Sequence, residues 1–195
     1  GGYLRLIDIA VNSNETIEPR TNPEHNFKYI ELADIDQNIG VIENAKTIKG
    51  KNAPSRARML LRNGDVIASS VEGSLDKVAL VSEEYDGAIG STGFFVLRPR
   101  TVSSGYLLAL IKSMIVREQM HCESSGTILA AVPAKSLKNI IVPNIQQEIQ
   151  DAISSLVQQS LAAKREAKTL LEKAKRAVEI AIEYGEQQAI DFLCK

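Results

Sequence analysis

The chain has 195 residues, of which 44% are hydrophobic, and a net charge of −1. These values indicate a globular protein with one domain and an appendage, or two small domains, and they exclude a disordered chain. No apolar run approaches the roughly 20 residues that span a bilayer, and the N-terminus lacks the pattern of a secretory signal. Two distant cysteines, Cys122 and Cys194, make no disulfide framework and favour a reducing cytoplasm.

Charge is unevenly distributed over the first third of the chain. Residues 1–45 contain three basic and eight acidic side chains, whereas residues 46–62 contain six basic side chains and no acidic one. Local charge sets the field at a phosphate, so this basic run indicates nucleic-acid contact despite the net charge. A solvated surface loop is the alternative. The basic residues of the run are Lys46, Lys49, Lys51, Arg56, Arg58 and Arg62.

Residues 1–142 are predicted to form a strand-rich α+β domain with a few helices, because short apolar runs alternate with Gly, Asn, Asp and Pro. The predicted strands are Asp65–Ser69, Lys77–Val81, Phe94–Arg98, Thr127–Val132 and Ile140–Val142. One helix is predicted at about Gly105–Gln119, with Ser103 or Ser104 as its N-cap. Its apolar face is expected to contain Leu107, Leu108, Ile111, Met114 and Ile115.

Residues 143–195 are predicted to form a long coiled-coil helix, because Asn144 to Leu193 contains no proline and only one glycine, Gly185. Apolar and small residues step by four and three positions for about four heptads. A helix of about 70 Å cannot bury this seam against a domain of about 140 residues, so we expect a second long helix as partner. A helix folded back on the domain is the alternative. The predicted pairing residues are Ile149, Ile153, Leu156, Ala163, Ala167, Leu170, Ala174, Ala177 and Ala181.

The usual signatures of catalysis are absent from the sequence. There is no phosphate loop, dinucleotide fingerprint or Cys-x-x-Cys, and no Asn-Pro-Pro-aromatic tetrad of the kind that adenine methyltransferases use. His121 and Cys122 are adjacent, and neighbours in a helix point about 100° apart, which disfavours shared metal ligation. We therefore predict a protein with no catalytic residue, no metal and no cofactor.

Three polar segments that contain glycine, residues 69–74, 87–93 and 123–127, are predicted to be loops beside strands. Small hydroxyl side chains next to glycine let the backbone approach a phosphate or a base edge closely. Ordinary turn chemistry is the alternative. The candidate DNA-contacting residues in or beside these loops are Ser70, Glu72, Ser74, Lys77, Ser91, Thr92, Ser124 and Ser125.

Several stretches together resemble the recognition domain of type I restriction–modification specificity (S) subunits. Leu61–Ser69, the glycine at Gly73 and Lys77–Val81 resemble the central hairpin of that domain. The preceding strand region is similar at residues 29–35 and 40–42, and the exit into the family's conserved helix is similar at residues 125–127, 137–143 and 145–149. The resemblance covers roughly residues 25–185, and it rests on the order and spacing of these stretches.

The resemblance implies a non-catalytic, sequence-specific DNA-binding module. In this family an S subunit has two recognition domains, each followed by a long helix. The helices pack antiparallel, and each domain reads half of a split site from the major groove. Modification subunits bind the S subunit and methylate adenine, and restriction subunits cleave.

The expected partners are therefore double-stranded DNA and modification subunits, with a restriction subunit as a further candidate, and no membrane. The chain departs from the family pattern because it has one domain and one helix. It is expected to be a half subunit or half of a longer protein, pairing with a second copy or a second S half through the helix. The alternatives are the recognition domain of a single-chain restriction–methylation enzyme and a coiled-coil protein-interaction module without DNA binding.

Overall fold

The computed structural model describes residues 2–126 and 130–194, which divide between Val157 and Gln158 into two compact units. The strands are β1 (Tyr3–Arg5), β2 (Ala10–Asn12), β3 (Asn26–Ile30), β4 (Ile35–Asp36), β5 (Val41–Ile42), β6 (Lys46–Lys49), β7 (Ala57–Leu60), β8 (Val66–Ser69), β9 (Val78–Leu80), β10 (Ile89–Ser91), β11 (Phe94–Pro99) and β12 (Ile141–Pro143). The α-helices are α1 (Leu6–Ile9), α2 (Ser104–Lys112), α3 (Met114–Glu123), α4 (Gln147–Tyr184) and α5 (Glu186–Leu193). The predicted α+β class, with a long C-terminal helix, is confirmed.

The first unit is built on two four-stranded sheets, with the strand orders β6–β3–β10–β7 and β2–β11–β8–β9. In the first sheet β10 runs parallel to β3 and antiparallel to β7, whereas the second sheet is antiparallel throughout. The predicted strands that correspond to β8, β9, β11 and β12 are confirmed to within one residue at each end. Half of the strand predicted at Thr127–Val132, residues 127–129, lies outside the described residues, and in the other half Ala131 forms only isolated β-bridges with Val71 and Ser125.

The two central strands of the second sheet, β8 and β11, are largely buried on both faces, which explains their uninterrupted apolar runs. Because successive side chains of a strand point to opposite faces, Val66 and Ala68 of β8 pack into one core cluster and Ile67 packs into another. The first cluster also contains Leu107 and Leu108 of α2, and both are almost fully buried. Helix α2 therefore covers one face of this sheet.

The single helix predicted at Gly105–Gln119 is two helices, α2 and α3, separated at Ser113. Ser113 has extended backbone angles, and its hydroxyl accepts a hydrogen bond from Val116 N, so it is the N-cap of α3. The predicted common apolar face is therefore wrong beyond Ile111: the break redirects the chain, and Met114 and Ile115 are 67% and 58% exposed. Ser103 is the N-cap of α2, as predicted.

The C-terminal helix is also divided. Helix α4 has 38 residues, or about 57 Å at 1.5 Å per residue, so the expected 70 Å was too long. Gly185 ends it with φ +96°, a left-handed conformation that strains other residue types. Helix α5 follows, and Lys173 Nζ donates to the Leu193 carbonyl at 3.1 Å, so α5 folds back along the end of α4.

The compact units divide within α4, so the functional boundary expected between residues 142 and 143 stays a prediction. Among the described helices, none has both the length and the apolar content that crossing a membrane requires.

Candidate nucleic-acid interface

Polar segments that are far apart in sequence meet at one end of the two sheets. Ser70 donates to the Gly93 carbonyl from its backbone nitrogen at 2.9 Å and from its hydroxyl at 3.0 Å. Val132 N donates to the Ser70 carbonyl at 2.8 Å, and Thr92 N donates to the Arg56 carbonyl at 2.9 Å. Together with the two backbone bonds between Ser125 and Ala131, both 3.1 Å, these bonds join residues 54–56, 69–74, 91–93, 124–126 and 130–132, which we call the recognition-loop cluster. The structure thus brings together parts of all three predicted loops.

The expectation that Ser91 lies in an exposed loop is wrong. Ser91 is the last residue of β10 and is 5% exposed, because β10 lies in the sheet interior between β3 and β7. The glycine-rich sequence of this segment has a packing reason: a Cβ on Gly90 would stand 3.1 Å from a methyl group of Leu61. Thr92, one residue later, is exposed at the surface of the cluster.

Several other candidate contact residues hold the loops in place. Ser74 Oγ lies 3.0 Å from Ser69 Oγ, and Lys77 Nζ donates to the Ile35 carbonyl at 3.0 Å. The Ser124 hydroxyl donates to the Met120 carbonyl at 3.3 Å, whereas Ser125 is exposed. These bonds fix the loops on the scaffold, so the side chains of Ser70, Ser74 and Lys77 are already engaged within the protein.

Glu72 connects the loop cluster to helix α3. Its carboxylate lies 3.3 Å from His121 Nδ1, and its backbone nitrogen donates to the Ala130 carbonyl at 3.0 Å. Beside this pair is an open cleft of about 400 Å³, lined by Glu72, Gly73, Leu75, Asp76, Arg117, Glu118 and His121. The cleft has both signs of charge. No group of three or more His, Cys, Asp or Glu side chains is placed to hold a metal ion within residues 2–126 and 130–194.

The basic run has no acidic residue in sequence, but acidic residues from positions 15–31 lie against it in space. The ion pairs are Lys46–Glu31 at 2.5 Å, Lys49–Glu24 and Lys51–Glu24 at 2.8 Å, Arg58–Glu18, and Arg62–Glu15 at 3.5 Å. Antiparallel pairing of β6 with β3 contributes to this arrangement. The expected strongly positive patch is therefore largely neutralised, and whether these residues contact DNA stays a prediction.

Hydrogen bonds between these pairs shift their titration. Bonds from Lys49 and Lys51 lower the pKa of Glu24, and the bond from Arg58 lowers the pKa of Glu18. The bond to Glu31 raises the pKa of Lys46. Glu18, Glu24 and Lys46 are therefore held in their charged forms at neutral pH.

Arg56 differs from the other members of the run. Among the described residues it has no ion-pair partner, and it lies within the loop cluster through its bond with Thr92. Arg62 lies at the opposite end of β7, so these two arginines cannot contact the same phosphate. The run therefore does not form one continuous patch, because β7 separates Arg56 from Arg62.

Sequence reasoning missed a buried ionic network at that opposite end. Asp65 is 1% exposed, and Arg98 donates to its two carboxylate oxygens at 2.9 and 3.1 Å. Arg62 N also donates to Asp65, at 2.9 Å, and Arg98 Nη1 reaches Glu15 at 2.7 Å. Its two carboxylate partners raise the pKa of Arg98, with Asp65 the larger cause. This network fixes the turn before β8.

The predicted pairing seam on α4 has two parts. Ile149, Leu156 and Leu170 are 50%, 65% and 58% exposed, and Ala163, Ala167 and Ala174 are also exposed. Ile153 packs against the core of the first unit. In the second unit Ala177 is 6% exposed and Ala181 is half-buried. Three exposed apolar residues beside the seam were not predicted: Leu171, Val178 and Ile182.

Comparison with known proteins identifies structural relatives. No protein-family model matches the chain, and no curated protein matches it. One similar chain, 32% identical with a TM-score of 0.72, comes from a structural study of complex assembly and conformational transition of the type I R-M system. The match covers 92% of this chain and 46% of the matched chain.

Two further solved structures are similar. The HsdS subunit from Thermoanaerobacter tengcongensis is 31% identical with a TM-score of 0.73, covering 93% of this chain and 46% of that subunit. The type I restriction-modification S subunit from M. genitalium is 14% identical, with a TM-score of 0.58, and the match covers 94% of this chain and 44% of that subunit. This similarity shows likeness of fold alone. The chain spans less than half the length of these relatives, and it belongs to the family of type I restriction–modification specificity subunits.

Proposed function

We propose that this chain is a non-catalytic DNA-recognition module that reads one half of a bipartite site in a type I restriction–modification complex. The observation that carries the proposal is the convergence of polar loops at one end of the sheets, in a fold shared with specificity subunits. Base reading requires side chains that a rigid scaffold projects into a groove. Backbone bonds between the loops supply that rigidity here.

Within the cluster we assign two roles by exposure and charge. Arg56 is a cation without an acidic partner among the described residues, so it is suited to a DNA phosphate. Thr92 and Ser125 are exposed hydroxyl side chains, and Glu72 is a half-buried carboxylate that can accept from cytosine N4. Ser91 is left out of this set because it is buried.

We assign pairing with a second long helix to the exposed apolar residues of α4. Leu156 and Leu170 belong to the predicted seam, and Leu171, Val178 and Ile182 extend the exposed apolar surface beside it. A second copy of this chain or a second S half would cover this surface in antiparallel packing, setting the distance between two recognition domains. Modification subunits, with a restriction subunit as a further candidate, would then dock on the pair in the cytoplasm.

A specificity measurement on Thr92 tests the base-reading role. The full chain is titrated with a duplex selected for tight binding and with single-base-pair variants of it, in fluorescence anisotropy. Thr92→Val should reduce discrimination at one or two base pairs by about 1–3 kcal/mol and leave the affinity for random duplex unchanged. Thr169→Val on helix α4 is the matched control and should change neither. Equal weakening on every duplex would contradict base reading by Thr92.

A further inference from the structure

Three carboxylates, Glu18, Glu24 and Glu31, lie against the basic run, and we call them the carboxylate screen. They pair as Glu18–Arg58, Glu24–Lys49, Glu24–Lys51 and Glu31–Lys46. The side chains of these pairs are between 30% and 66% exposed, so a DNA phosphate can approach every one of them. Glu15 is not part of the screen because it belongs to the network around Asp65.

The screen opposes phosphate binding in two ways. Each cation already has an anionic partner, so a phosphate must displace a carboxylate before it can pair. The displaced carboxylate loses the hydrogen bonds that lower the pKa of Glu18 and of Glu24, but an exposed glutamate is still ionised at neutral pH, so it repels the phosphate. Exposed ion pairs are individually weak, so the cations are not locked in place. The screen therefore weakens phosphate binding but does not prevent it.

We propose that the carboxylate screen limits non-specific binding of this chain to DNA. The inference rests on the proposed function, because it assigns these residues a part in discrimination at the same interface. Non-specific affinity depends on the number of phosphates that Lys and Arg neutralise. Because Lys46, Lys49, Lys51 and Arg58 are already paired with the screen, they neutralise fewer phosphates. The screen leaves Arg56, within the loop cluster, without an acidic partner among the described residues.

The double variant E18Q/E24Q of the full chain tests the screen. Glutamine keeps the shape and one acceptor oxygen, so it preserves the bond that Glu18 accepts from Arg20 N. Affinity for a short random-sequence duplex should rise about two- to fivefold for each carboxylate removed, the size typical of exposed charge interactions. The slope of log K against log salt should steepen by about 0.9 for each of Lys49, Lys51 and Arg58 that gains a phosphate.

The matched control is E172Q/E179Q on helix α4. Glu172 and Glu179 pair with Lys175 at 2.7 Å and Arg176 at 2.8 Å, so the control removes the same charge from the same kind of ion pair. If net charge alone mattered, both double variants would bind random duplex equally more tightly. That result would overturn the screen, as would an unchanged affinity and slope in E18Q/E24Q.

A second measurement uses the lysines that face Glu24. K49Q/K51Q should reduce random-duplex affinity more in an E24Q background than in the unaltered chain, because only there are both lysines free. Equal effects in the two backgrounds would also count against the screen. If the unaltered chain binds no duplex, the proposed function fails. In that case duplex binding by E18Q/E24Q would still support the screen, and absence of binding in both would refute it.

Discussion

The buried carboxylate of Asp65 is expected to stabilise the fold, and substituting it tests how much its hydrogen bonds contribute. Three donors reach its carboxylate: two from Arg98, at 2.9 and 3.1 Å, and the backbone nitrogen of Arg62 at 2.9 Å. In Asp65→Asn one oxygen becomes an NH₂ group, which faces a donor and cannot accept. The charge that binds Arg98 is lost as well.

The expected cost follows from these contacts. Losing one charge-assisted hydrogen bond at a buried site costs about 1.5–3 kcal/mol, and the lost charge weakens the remaining bonds. We expect Asp65→Asn to lower the free energy of unfolding by about 2–3 kcal/mol. For a chain of this size that lowers the melting temperature by about 4–12 °C.

The assay is thermal unfolding followed by circular dichroism, with Glu15→Gln as the control. Glu15 binds the same arginine but is 44% exposed, so its loss should shift the melting temperature much less. Below its melting temperature Asp65→Asn should still bind DNA normally, because β8 separates Asp65 from the loop cluster. Equal destabilisation by the two variants would refute the argument that burial of Asp65 makes this pair important.

Three further predictions concern DNA binding and pairing. Arg56→Ala should flatten the slope of log K against log salt by about 0.9, whereas Lys49→Ala should flatten it less because Glu24 already pairs with Lys49; equal slopes would contradict the assigned role of Arg56. Leu156→Asp with Leu170→Asp should reduce self-association in analytical ultracentrifugation, whereas Ala162→Asp on another face of α4 should not. Inserting seven residues between Glu166 and Ala167 in both paired copies of α4 should lengthen the spacer between the half-sites of selected DNA by about three base pairs, because seven residues add about 10 Å. An unchanged spacer would refute the proposal that α4 sets the distance between the two recognition domains.

The strands predicted correctly are those that the local sequence pattern is sufficient to identify. Strands β8, β9 and β11 are short, continuous apolar runs bounded by turn residues, and these properties are local. Strand β10 was taken for a loop because it lies between Gly87 and Gly93. Its Gly90 is required by close packing against Leu61, and that packing cannot be read from neighbouring residues.

Long-range pairing explains the errors in the candidate interface. The ion pairs of the basic run join residues 15, 25, 27, 40 and 47 positions apart, so a charge count along the chain cannot reveal them. The acidic excess of residues 1–45 was visible, but its position over the run depends on the pairing of β3 with β6. The break between α2 and α3 is different, because Ser113 is a good N-cap residue and was a readable signal.

The most direct test of the proposed DNA recognition is a selection of duplexes from a random-sequence pool. The full chain is incubated with the pool in the presence of the proposed modification subunits, and the retained duplexes are sequenced. We predict enrichment of one short sequence, repeated as two half-sites at a fixed spacing if two copies pair through α4. A retained pool with the same composition as the input would contradict sequence-specific recognition by this chain.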